Sequence, residues 1–120
     1  MTDPDEASST VDAVLVYYSA DARCRLESAL HAERWNVWAV SGRAPDATDA
    51  IRVHPADVVV IDGGARDVNV RLAAQHISRT VGQGTVISAR PDLQTVDVYR
   101  GGHWVGSADS LEAALGLCAR

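Results

Sequence analysis

The sequence contains no lysine and no phenylalanine, and all 11 of its basic side chains are arginines. Without lysine, no site in the chain has a compact ammonium point charge, and a guanidinium is not an equivalent substitute. Without phenylalanine, the large rings of core and rim must come from Trp35, Trp38 and Trp104. Only two cysteines occur, Cys24 and Cys118, far apart and without metal-ligand spacing. They read as reduced, small, buried helix-face residues. Nor is there a basic run: the formal net charge is −5, which argues against nucleic-acid binding by this domain, since phosphate contacts need a basic face. No apolar run approaches membrane-spanning length, and Met1 opens a polar, acidic tail with no signal-peptide pattern. A cytoplasmic chain with no membrane association is expected.

Chemical motifs are equally sparse. His31, His54, His76 and His103 show no i, i+4 pairing and no cluster with cysteine, so no metal site is expected. No nucleophile–His–carboxylate set, P-loop or dinucleotide fingerprint is present, and Gly82-Gln83-Gly84 reads as a turn. Neither an enzymatic activity nor a cofactor is expected.

The 120 residues, 47% of them hydrophobic, suffice for one domain with a real core. Residues 1–10 read as a disordered leader and 11–120 as the folded domain. Val11 to Tyr18 reads as a buried strand. Ser19 and Asp21 are good N-cap types for a helix with Ala22, Leu26, Ala29 and Leu30 inward. Trp35 to Val40 is a second strand, and Pro45 to His54 a short helix with Ala47, Ala50 and Ile51 inward. Val58 to Ile61 is a continuous branched run ending in Asp62-Gly63-Gly64, as in a central parallel strand buried on both faces. Asp67 is expected to cap a helix running to Arg79, with Val68, Leu72, Ala73 and Ile77 buried. Thr85 to Ser88 is a fourth strand, Arg90 to Gly102 a short or irregular helix, and His103 to Val105 a fifth strand. Leu111, Ala114, Leu115 and Cys118 mark a last helix capped by Ser107 or Asp109.

Strand then helix, five times over, predicts an α/β fold. At this size the pattern favours a flavodoxin-like doubly wound (βα)5 sandwich, with five parallel strands in order 2-1-3-4-5. In such sheets ligands gather beyond the carboxyl ends of the strands, where Asp62 is expected.

On His54 to Asp62, on Ser88-Ala89 and on Gly101-Gly102, the chain resembles the receiver domain of two-component response regulators, over nearly all of Asp12 to Ala119. The resemblance implies that Asp62 matches the phospho-acceptor aspartate and that Ser88 matches the hydroxyl that contacts the phosphoryl group. Departures from the family pattern are specific. The two acidic positions that hold magnesium fall on Tyr18 and Ser19, which supply no negative charge at neutral pH. Asp21 is the nearest other acid, and its position assigns it to the helix start. The lysine that pairs with the phosphorylated aspartate falls on Gly106. Phosphoryl transfer depends on positioning and on charge stabilisation by metal and cation, so Asp62 is expected to be a structural carboxylate hydrogen-bonded to loop amides.

An atypical pseudo-receiver follows, independent of phosphorylation and acting by protein–protein contact in signal transduction or transcriptional regulation. It would be the module of a larger regulator or a stand-alone adaptor. The resemblance further implies a protein partner or an output domain, by family habit DNA-binding. It also implies a partner or homodimer surface on the fourth helix, fifth strand and fifth helix, where His103 and Trp104 are candidate anchors. Two alternatives stand beside it: a conventional receiver phosphorylated on Asp62, and a small-ligand sensor using Asp62, Ser19, Ser88 and the Gly63-Gly64 amides.

Overall fold

The computed structural model describes residues 11–54, 56–80, 85–90, 95–111 and 113–114. The described elements are β1 (Asp12–Tyr17), α1 (Ala20–Ala32), β2 (Asn36–Ser41), α2 (Ala47–Val53), β3 (Val58–Asp62), α3 (Val70–Thr80), β4 (Thr85–Ala89), β5 (Val96–Arg100) and β6 (His103–Ala108). The strands form one sheet in the order β2-β1-β3-β4-β5-β6. The first four are parallel, and β5 and β6 run antiparallel to their neighbours. No helix among the described residues is long and apolar enough to cross a membrane.

The unbroken Val58-Val59-Val60-Ile61 run forms a strand because both sheet faces are covered, and every residue of β3 is buried. On one face Leu15 and Val60 meet Leu26 and Leu30 of α1, together with Trp35, Leu111 and Ala114. On the other, Val14, Val16, Val59 and Ile61 meet Ile51 of α2 and Ala74 and Ile77 of α3. Truncating a fully buried leucine such as Leu26 to alanine would cost about 2–5 kcal/mol, a large share of a domain's usual stability. Helix α1 starts where Ser19 Oγ accepts from Ala22 N at 3.2 Å. It ends in a Schellman turn, with Trp35 N donating to Leu30 O and Arg34 N to His31 O. Arg34 takes the left-handed conformation there, at φ 64°.

The α/β layering and the parallel order of the first four strands match the sequence pattern. The fifth parallel strand does not. Residues 96–100, expected within a helix, form β5 antiparallel to β4, pairing Ser88 with Asp97 and Ala89 with Val96. His103 to Val105 lies in β6, one strand further out. The physical reason is a hairpin: Gly101 and Gly102 have φ 60° and 88°, and a two-residue loop with both φ values positive reverses the chain with the twist that antiparallel strands need. Val96, Val98 and Tyr99 then lie buried in a strand, where branched and aromatic residues pack well. The register skips Val105 between the Val98–Gly106 and Tyr99–Trp104 pairs, a bulge on the outer strand.

Smaller expectations also change. Asn69, not Asp67, caps α3, its Oδ1 accepting from Leu72 N at 3.1 Å; Leu72, expected inward, is 61% exposed, because it stands about 140° round the helix from the buried Ile77. Cys24 is exposed, because it sits on the arginine-rich side of α1 between Arg23 and Arg25. Trp35 is buried as expected, while Trp38 sits at the rim, stacked on His54 with ring centroids 4.1 Å apart. At the last helical turn, Ser110 rather than Ser107 or Asp109 supplies the cap, accepting from Ala113 N at 3.1 Å. The leader, the Gly82-Gln83-Gly84 turn, Leu115 and Cys118 lie outside the described residues.

One buried hydroxyl locks the hairpin to the helical layer. Ser78 Oγ donates to Gln75 O and accepts from Gly102 N, both at 2.9 Å. Replacing Ser78 with alanine leaves the Gly102 amide buried without that acceptor. Urea denaturation of Ser78→Ala should report a loss of about 1–3 kcal/mol; stability unchanged within a few tenths would show that the hydroxyl does not hold the hairpin.

Candidate functional site

The carboxyl ends of β1 and β3 meet a loop from β2 and the start of α1 around a cleft of about 300 Å3. Asp62 is its floor, a carboxylate 2% exposed. Gly64 N donates to Asp62 Oδ1 at 2.9 Å, the short-range turn bond that aspartate favours two residues before an amide.

Tyr18 and Ser19 occupy the cleft wall. Tyr18 follows Val14 and Val16 on alternate positions and packs its ring on their cluster. The ring lies so close to Gly42 that a Cβ there would collide with it. Arg43 holds the outer side. Its Nε donates to Tyr18 O at 2.9 Å, its guanidinium stands 5.8 Å from the ring centroid, and its Nη2 reaches both Asp67 oxygens at 2.8 and 2.9 Å. Hydrogen bonding from Arg43 holds the Asp67 carboxyl below its ordinary range. Burial pushes the Tyr18 phenol above its ordinary 10.0, the Asp62 carboxylate pushes it further, and Arg43 opposes both.

The acids of this cleft are Asp21, Asp62 and Asp67. Asp67 is bound by Arg43, and Asp21 pairs with Arg25 at 3.3 Å. Ser19 Oγ is spent on the helix cap. Among the described residues, no group of three or more His, Cys, Asp or Glu could hold a metal ion. The cleft thus holds the buried Asp62 carboxylate and the Tyr18 phenol in one lining, with its more exposed acids, Asp21 and Asp67, paired to Arg25 and Arg43.

The other singled-out residues do not join Asp62. Ser88 pairs with Ile61, while Asp62 pairs with Ala89, so hydroxyl and carboxylate point to opposite faces of the sheet. Ser88 Oγ lies against Gly63, where a Cβ would come within 2.7 Å of it, and lines a second cleft. Gly106 lies in β6, separated from β3 by β4 and β5, about 14 Å at three strand spacings. His103 and Trp104 are exposed on β6, with Trp104 53% exposed. Arg43 and Asp67, which shape the Asp62 cleft, are the residues that sequence reasoning passed over; nothing in their spacing pairs them, since they come from separate loops.

Comparison of the chain with protein-family models, with curated proteins and with solved structures finds no match in any of the three.

The Tyr18 environment makes a directional prediction. Asp62→Asn removes the charge that raises the phenol and should lower the midpoint of one tyrosine in an ultraviolet pH titration. Arg43→Gln should raise it. The linkage sign is fixed: above the ordinary tyrosine value of 10.0 the unfolded chain has lost a proton that folded Tyr18 keeps, so the contribution to stability falls as pH rises through that range. Midpoints unmoved by either substitution would contradict the Tyr18–Asp62–Arg43 arrangement.

Proposed function

We propose that the chain is a receiver-like regulatory domain that works by protein contact and not by phosphoryl transfer, in signal transduction or transcriptional control. The observation that carries this reading is the setting of Asp62: buried, bonded to the Gly64 amide, and sharing its cleft with Tyr18 and Ser19 where a phospho-acceptor needs metal-holding acids. The lysine-free sequence supports it further, since no ammonium is available to neutralise a phosphorylated aspartate. The parallel order β2-β1-β3-β4, with Asp62 closing β3, supports a flavodoxin-like half to which the β5–β6 hairpin is joined.

Protein contact is supported at the far edge of the sheet. β6 carries His103, Trp104 and Val105 exposed in succession, on a strand with a neighbour on one side only among the described residues. An uncovered strand edge offers backbone donors and acceptors to a partner, and an exposed tryptophan is a common anchor. The partner is a second protein, an output domain or a second copy of this chain.

Acetyl phosphate with magnesium, followed by intact-protein mass spectrometry, tests the reading. The expected outcome is an unmodified chain. A phosphoryl adduct mapped to Asp62 would overturn it in favour of a conventional receiver. Sedimentation at high concentration then reads the partner class: a dimer abolished by Val105→Lys places a second copy on β6, and a monomer removes the homodimer.

A further inference from the structure

The second and larger cleft, about 600 Å3, lies between the start of α3, the end of β4 and the outward face of β5 and β6. That volume is in the range of small-molecule sites. Two arginines line it, Arg71 from the first turn of α3 and Arg90 just after β4. Arg23, Arg25, Arg43 and Arg52 are each tied to a carboxylate; among the described residues Arg71 and Arg90 form no ion pair. Near them are the hydroxyls of Ser88, Thr95 and Tyr99. Among the described residues none of these three makes a hydrogen bond. Burial and the Asp97 carboxylate keep the Tyr99 phenol protonated above its ordinary range, with Arg71 opposing, so it is a donor at neutral pH.

Among the described residues Asp97 is the acid that lines this cleft, and it is already engaged. Its Oδ1 accepts from Trp104 Nε1 at 3.2 Å and from Ser107 Oγ at 2.6 Å. The same bonds fix the Trp104 indole beside the cleft, on the face that Tyr99 shares through its cross-strand pairing. Among the described residues, two guanidiniums without ion pairs against one engaged carboxylate leave an excess of positive charge, and the amino-terminal end of α3 adds to it. Guanidiniums bind carboxylates and phosphates through parallel hydrogen bonds, and a half-exposed indole offers a flat surface for stacking.

We propose that this cleft binds a small anionic ligand in which a carboxylate or phosphate group is joined to a flat ring, the oxyanion held by Arg71 and Arg90 and the ring laid on Trp104. The site is separate from the Asp62 cleft, and the proposal does not depend on the regulatory reading given above, so failure of either leaves the other standing.

Calorimetric titration of the full chain tests it with four probes: phenyl phosphate, benzoate, benzamide as a neutral ring and inorganic phosphate as a ringless anion. The expected result is saturable one-to-one binding of at least one ring-bearing acid, with benzamide and inorganic phosphate weaker by roughly tenfold or more. Arg71→Gln and Arg90→Gln should each weaken the acid by a similar factor. Trp104→Ala should erase the advantage of the ring over inorganic phosphate, Trp104→Phe should keep part of it, and Arg66→Gln in the other cleft should change nothing. The stronger of the two acids identifies which oxyanion the site takes. Absence of saturable binding for both acids, or binding indifferent to both arginine substitutions, would overturn the proposal.

Discussion

A carboxylate buried to 2% exposure at the end of the central strand is the constraint around which this molecule is arranged. A polar group so far from water needs hydrogen-bond partners nearby. Asp62 takes one bond from the Gly64 amide, which requires the chain to turn at once into the Gly63-Gly64 loop. A Cβ at Gly63 would come within 2.7 Å of Ser88 Oγ, so a side chain there would displace that hydroxyl. Beyond Asp62, Tyr18 lines the same cleft, and Arg43 ties the Tyr18 backbone to the Asp67 loop. Local structure, packing and electrostatics at this corner thus follow from keeping one carboxylate in place.

The strands and helices up to β4 were legible in the sequence because their signals are short-range and strong. Val58 to Asp62 is an apolar run with turn formers at both ends, and α1 has a side-chain cap and a regular apolar stripe. The hairpin was not read, although its signals were present: Val96 and Val98 alternate, two glycines follow Arg100, and branched and aromatic residues resume at once. The strand–helix alternation of the preceding chain points to a crossover helix at residues 96–100, and the local turn chemistry overrides it. The exposed Leu72 has a geometric cause: five residues before the buried Ile77, it stands about 140° round the helix from that side chain.

Inserting β5 beside β4 has a consequence for chemistry. Ser88 and Asp62 belong to neighbouring strands, yet the register gives them to opposite faces, and the antiparallel strand brings Asp97 and Tyr99 to the Ser88 side. The carboxyl edge of the sheet is thereby divided into two clefts of unlike character. In one, Arg43 is committed to Asp67 and Tyr18 beside the buried Asp62; in the other, two arginines without ion pairs among the described residues stand near Asp97, which is already hydrogen-bonded. Residue types alone could not reveal this division, because it depends on a one-residue offset between paired strands.

The central claim is that the Asp62 cleft lacks the charge to assemble a magnesium-dependent phosphoryl-transfer site. The most direct measurement is a magnesium titration followed by the amide resonances of Asp62, Gly63 and Gly64. The account predicts no saturable shift at these three amides. Saturable shifts there, lost in Asp62→Asn, would contradict it.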